Sequence, residues 1–283
     1  MSVVELAVLD LPWPFEREYM QLALVAGLVV GASAPLIGVF LVQQRMALLG
    51  DGIGHLAFAG VAAGLLLEVW PVWSALLVAT AGALVIQLLR RRGTTTGDLA
   101  LALMFYGGIA LGIVLISSSG AGSVNVLPYL FGSILTVEPG DVWVVVAIGI
   151  TIVVSIALLG RVLLASVLDE EAARVAGLPV DVASSTLAVL TAVTVVAAMR
   201  VVGVLLVAAL MVLPVASSRL VARSFRSTVS IAVLVGVASV VLGLVAAREW
   251  SLAPGGTIVL TATAIFAVTA LARGRRRSVF AQR

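Results

Sequence analysis

Asp51 and His55, the one histidine of the chain, stand four residues apart in the stretch Arg45-Met46-Ala47-Leu48-Leu49-Gly50-Asp51-Gly52-Ile53-Gly54-His55. On a helix that spacing puts carboxylate and imidazole on one face. Together they suit a borderline divalent metal such as zinc or manganese. Two ligands leave a coordination shell incomplete, so the metal reading needs a symmetry mate, further residues or water. The same spacing fits a plain cap, with Asp51 at a helix start near the inner membrane boundary and His55 one turn above. The residues alone leave both readings open. A second candidate is Asp169-Glu170-Glu171-Ala172-Ala173-Arg174, followed by Gly177 and Pro179. Its acids come early and its arginine late, as a helix dipole prefers, and glycine then proline form a stop. It is either a solvated loop or a short surface helix that offers a partner a handle.

The elements that must hold these groups are membrane spans. Of 283 residues, 62% are hydrophobic and only 11% charged, and the mean hydropathy is +1.23. No soluble core needs so much apolar surface, whereas several spans of about 20 residues do. The expected fold class is all-α, a polytopic membrane helical bundle of eight or nine transmembrane helices with a possible re-entrant segment. An acid inside such a span costs roughly 2.5–3.5 kcal/mol at the bilayer centre, which makes it a functional candidate by default. The absence of cysteine removes disulfides, thiolate metal sites and cysteine nucleophiles. The net charge of +3 rests on arginine alone, which in this setting is a topology signal and not a nucleic-acid patch.

Along the chain, residues 1–18 form an acidic, proline-containing lead-in without the positive start of a signal peptide. A single membrane domain is expected over 19–273, and a basic tail over 274–283. Spans are expected near 19–42, 49–67, 72–89, 99–117, 142–159, 229–247 and 256–272. The 36-residue apolar run 182–217 exceeds one span and is read as two short ones with a reversal near 199–203. Residues 94–98 offer a turn and a cap. Residues 126–135 are too apolar for a loop and too short to cross, which suits a re-entrant or interfacial piece. Ala23, Gly27, Gly31 and Pro35 make a stripe of small residues where another helix can approach closely. With Arg90–Arg92 placed inside, fourteen of the seventeen arginines fall at the inner side and all five tryptophans at the outer face. That arrangement puts the N-terminus outside and the C-terminus inside.

Several chemistries are excluded. There is no P-loop and no His-Glu-x-x-His pattern, and one chain cannot supply a two-histidine zinc site. The chain is not expected to be an enzyme.

The residues do carry a resemblance. Gly50-Asp51-Gly52-Ile53-Gly54-His55, preceded by Arg45-Met46, resembles the start of the second span in the zinc/manganese-importing ABC permeases. Leu130-Phe131-Gly132-Ser133-Ile134-Leu135-Thr136-Val137, with Pro139 and Asp141, is similar to that family's middle stretch. Ala198-Met199-Arg200-Val201-Val202-Gly203, then Leu213-Pro214-Val215-Ala216 and Ala222-Arg223-Ser224, resemble its later signature. The resemblance implies a permease subunit in the plasma or inner membrane, working as a homodimer with cytoplasmic ATP-binding subunits and an extracytoplasmic metal-binding protein. It implies Asp51 and His55 as metal-pathway residues, with Zn2+ or Mn2+ as cargo and no permanently bound cofactor. It also implies that Asp169, Glu170, Glu171, Ala172 and Gly177 belong to the loop that docks into the ATPase. The competing class is a stand-alone secondary cation transporter or channel, which would more often show inverted repeats and several intramembrane acids.

Overall fold

The computed structural model describes residues 13–91, 97–118, 127–204 and 206–281. Among them there is no strand. The order is α1 (Glu18–Gln43), α2 (Leu49–Leu66), α3 (Pro71–Arg91), α4 (Gly97–Ser118), the short α5 (Leu127–Phe131), a 3-10 turn (Ile134–Thr136) and α6 (Pro139–Leu168). It continues with the six-residue α7 (Glu170–Val175), then α8 (Val180–Ala198), α9 (Val207–Val221), α10 (Phe225–Glu249) and α11 (Pro254–Ala281). Eight of these helices are long and apolar enough to cross a membrane, and α9, at 15 residues, is apolar but shorter. Helices are the expected answer, because a backbone in hydrocarbon must satisfy its own hydrogen bonds.

The core forms around α1, which packs on α6, α8, α9 and α10. Lipid supplies no hydrophobic drive between helices, so close packing through small residues does the work. A Cβ at Gly31 would lie 3.1 Å from the Gly236 carbonyl oxygen, and one at Gly27 would lie 2.7 Å from Val240. The small-residue stripe therefore meets α10, with Gly236 facing Gly31 and Pro35 in return. Gly243 lets α10 approach α11 in the same way, a Cβ there lying 2.5 Å from the Ile258 Cα.

The two ends of the bundle differ in kind. Arg90 reaches Met46, Arg91 reaches the start of α8, and Arg273 donates to the carbonyl of Arg219 at the end of α9. These contacts gather the inner-side arginines at one end. At the opposite end Trp70 and Trp73 share a cavity with Glu138, Asp141 and Arg200, while Arg248 stands 5.8 Å over the Tyr19 ring. By the positive-inside rule the arginine end is cytoplasmic.

Several boundaries differ from expectation. Helix α6 starts three residues before the expected span and runs to Leu168. A capping box at its start, made by Glu138 and Asp141 with Pro139 in the first turn, explains the early start. Its 30 residues make about 45 Å of helix, longer than a hydrocarbon core of about 30 Å. Helix α11 likewise continues past residue 272 through Ala281. The lead-in up to residue 12 and the turn at 92–96 lie outside the described residues, as do the side chains of 274–283.

The two irregular stretches meet. The Ser133 N–H donates to the Arg200 carbonyl at 3.1 Å, and the Val204 N–H donates to the Tyr129 carbonyl at 2.9 Å. Gly132 and Gly203 both hold positive φ, 74° and 91°, and a Cβ on either would strike the other strand of this clasp. Irregular backbone at membrane depth is tolerated here because each segment satisfies the other inside protein.

Candidate functional site

Asp51 and His55 lie in the first half of α2. From 49 to 62 every other α2 residue is buried, and these two alone are half-buried. The N-cap of α2 is Leu48, without a side-chain cap bond. Asp51 sits three positions further on and makes no hydrogen bond or ion pair among the described residues. The capping alternative therefore does not describe this helix.

Their depth follows from the neighbours. Gly108 of α4 packs against the His55 backbone, a Cβ there lying 2.8 Å from the His55 carbonyl carbon, and Gly82 of α3 packs against Leu56. Both glycines stand near the middle of their helices, about 15 Å from either end at 1.5 Å per residue. On that count His55 lies near mid-height of the helices that surround it. Asp51 lies one turn of α2 nearer the arginine end.

The pocket around His55 was not legible from the motif. The Phe105 ring meets the imidazole edge-on at 4.1 Å between centroids, and Nδ1 is buried without a hydrogen-bond partner. Gly107-Gly108 inside an apolar helix was the available signal, since a glycine there implies close backbone approach. On the far side, Gly54 lets the Val204 carbonyl of the α8–α9 reversal approach, a Cβ there lying 3.0 Å from that oxygen. Among the described residues no cluster of three or more metal-ligating side chains forms within one copy.

Toward the outer end, Arg200 pairs with Asp141, each side chain 17% exposed. This pair joins the start of α6 to the α8–α9 reversal, and beside it opens a cavity of about 190 Å³ lined also by Trp70, Trp73 and Glu138. Both residues were visible in the sequence, but 59 positions separate them and nothing marked them as partners.

At the inner end the expected short helix is present as α7. Asp169 is its N-cap and accepts from the Ala172 N–H at 2.9 Å. Gly177, at φ 75°, ends it, and the Leu178 N–H closes back on the Ala173 carbonyl at 3.1 Å. Arg174 bonds Asp181 at 2.8 Å and Glu170 at 3.0 Å. The Asp181 hydrogen bond, ahead of that from Glu170, pushes the Arg174 pKa up. Arg91 reaches Asp181 as well, at 3.5 Å, and bonds Ser185 at 2.6 Å. Glu171, Ala172 and Val175 stay exposed, Val175 at 90%.

Comparison with known proteins gives a consistent set. Residues 16–273 match the ABC 3 transport family. The manganese transport system membrane protein MntC of Halalkalibacterium halodurans is 32% identical over 250 residues, covering 88% of this chain and 86% of its own. The manganese import system permease protein ScaB of Streptococcus gordonii is 30% identical over 251 residues, covering 89% and 90%. A chain in the structure of PsaBC from Streptococcus pneumoniae in complex with Fab superposes with a TM-score of 0.80 at 31% identity, covering 90% of this chain and 91% of that one.

Proposed function

Because this chain belongs to the ABC 3 transport family, we propose that it is the membrane permease of an ATP-driven importer of divalent transition-metal ions, manganese or zinc, and that it works as a homodimer. The observation that carries this reading is the half-buried Asp51/His55 face of α2, otherwise buried from 49 to 62, inside a membrane bundle. A carboxylate turned to lipid there is costly. A second copy across a two-fold axis removes it from lipid and doubles the donors to two carboxylates and two imidazoles. The relatives named as manganese systems support manganese as cargo, and mixed carboxylate and imidazole donors accept either metal.

The ion enters from an extracytoplasmic metal-binding protein at the tryptophan end. Asp51 and His55 of both copies replace part of its hydration shell, weakly enough for the ion to leave again. Phe105 and the Gly108 contact fix the imidazole while the apolar wall limits water. The chain has no nucleotide-binding loop of its own, so separate cytoplasmic ATPase subunits supply the energy. Helix α7 is their docking element. Asp169 starts it, Glu170 anchors it through Arg174, Gly177 ends it, and Glu171 and Ala172 face outward. Movement of α7 passes to α8 through the Arg174–Asp181 pair and to α3 through Arg91.

The test is metal uptake in cells lacking their own manganese and zinc importers, each metal supplied alone, with the cognate ATPase either active or unable to hydrolyse ATP. Uptake of at least one metal that requires active ATPase is the expected result. Uptake that continues with the inactive ATPase would mark a stand-alone carrier and end this reading.

A further inference from the structure

At the arginine end the inner ends of α1, α3, α6 and α8, together with α7, enclose a cavity of about 480 Å³. Arg45, Gln87, Arg90, Arg91, Glu170 and Arg174 line it, which sets four guanidiniums against one carboxylate. Arginines at an inner membrane boundary are ordinarily a solvated topology signal. Three features here go beyond that.

First, the charge is unevenly spent. Arg91 and Arg174 are held by Asp181 and Glu170. Arg45 makes no side-chain hydrogen bond or ion pair among the described residues, and the one such contact of Arg90 is with the Met46 sulfur at 2.6 Å. Second, Gln87 is only 7% exposed and its Oε1 has no hydrogen-bond partner. A buried amide without a partner is costly unless something supplies one, and a turned amide presents N–H donors to an anion. Third, Arg45 holds the left-handed conformation at φ 59°, uncommon for a residue with a side chain. The chain tolerates that strain at the residue that lacks a protein partner.

We propose that this cavity binds a phosphate-bearing anion, either the headgroup of an anionic phospholipid of the inner leaflet or a free phosphate, between Arg45, Arg90 and Gln87. The volume falls within the range of ligand sites of about 300–1,000 Å³ and exceeds what a bare ion fills. Basic pockets between spans at the cytoplasmic surface are where anionic headgroups bind.

The test uses the full chain in phosphatidylcholine vesicles, with or without phosphatidylglycerol, and reads retained lipid by native mass spectrometry; a parallel arm offers inorganic phosphate alone. The expected result is phosphatidylglycerol retained over phosphatidylcholine. Arg45→Gln with Arg90→Gln lowers that retention by at least about tenfold, since each arginine beside an anionic surface contributes roughly fivefold. Arg45→Lys with Arg90→Lys keeps most of it. Removing equal charge elsewhere on the inner face, with Arg223→Gln and Arg226→Gln, leaves it unchanged. Retention of inorganic phosphate without phosphatidylglycerol assigns the free ion, and the reverse assigns the headgroup; either supports the site. If the double glutamine variant does not fold, Gln87→Leu takes its place and must show the loss. Retention of neither, or an equal loss in both double glutamine variants, overturns the proposal. So does loss of ATPase binding in a cavity that retains no phosphate or lipid, which would make it a protein contact.

Discussion

At the arginine end Arg174 and Arg91 converge on Asp181, and Glu170 completes the group, whereas along α2 Asp51 has no ionic partner among the described residues and His55 leaves Nδ1 unbonded. The first group stands exposed at the helix ends and the second lies among apolar helices, so solvation alone would predict the reverse. Paired charges in a wet boundary contribute little and chiefly fix geometry. Unpaired ionisable groups inside a membrane bundle are costly, which makes them functional candidates. The first region is a joint between α3, α7 and α8, and the second, on the function proposed above, is a site that a second copy completes.

The contrast can be broken from either side, and the largest effect is expected from packing beside His55. Gly108→Leu drives a side chain into the His55 backbone, where a Cβ already lies at 2.8 Å. Overpacking of this kind costs about 1–3 kcal/mol. We expect loss of the folded permease on size-exclusion chromatography, or a folded one without transport; normal uptake would show that α4 does not set the position of His55. Next in size is the joint's outward face. Gly177→Val forces a β-branched residue to φ 75°, at a cost of about 1–2 kcal/mol. Glu171→Arg reverses an exposed charge without touching the fold. Both variants should insert normally, and ATP hydrolysis by the assembled system should no longer drive uptake. Normal transport with normal ATPase retention would remove α7 from the docking role. The smallest effect is expected from Asp181→Asn, which weakens the grip on Arg174 and Arg91. Melting temperature should hardly move, and any shift should shrink further in high salt. A large loss of stability would mean that the joint is structural to a degree that exposed ion pairs rarely reach.

Much of this was readable from residue order, for identifiable reasons. Spans, arginine sidedness and the α7 stop at Gly177 depend on local composition and short-range chemistry, which sequence carries directly. Packing between helices does not. The residues around Asp51 do not say what α2 packs against, and the contacts that hold His55 and Leu56 come from Gly108 and Gly82 on other helices. The clasp between 127–136 and 199–206 was hidden for the same reason. Each stretch looked merely irregular, and only their pairing through Ser133–Arg200 and Val204–Tyr129 explains how irregular backbone survives in the membrane. The Asp141–Arg200 pair adds a third case, two charges whose meaning depends on a distant partner.

The central claim is that Asp51 and His55 are the ion's own contacts and not supports of the fold. Asp51→Asn keeps the size and hydrogen-bonding capacity of the residue while removing its charge, and His55→Gln removes the imidazole at similar bulk. The decisive measurement is manganese and zinc uptake by each variant in the assembled transporter, read beside membrane insertion and ATPase retention. The account predicts that assembly survives in both while uptake of the transported metal falls by tenfold or more, an estimated effect on the order of the 1.4 kcal/mol that one lost ligand contact readily exceeds. Asp51→Asn uptake within about twofold of the parent, a difference of less than about 0.5 kcal/mol, would contradict it.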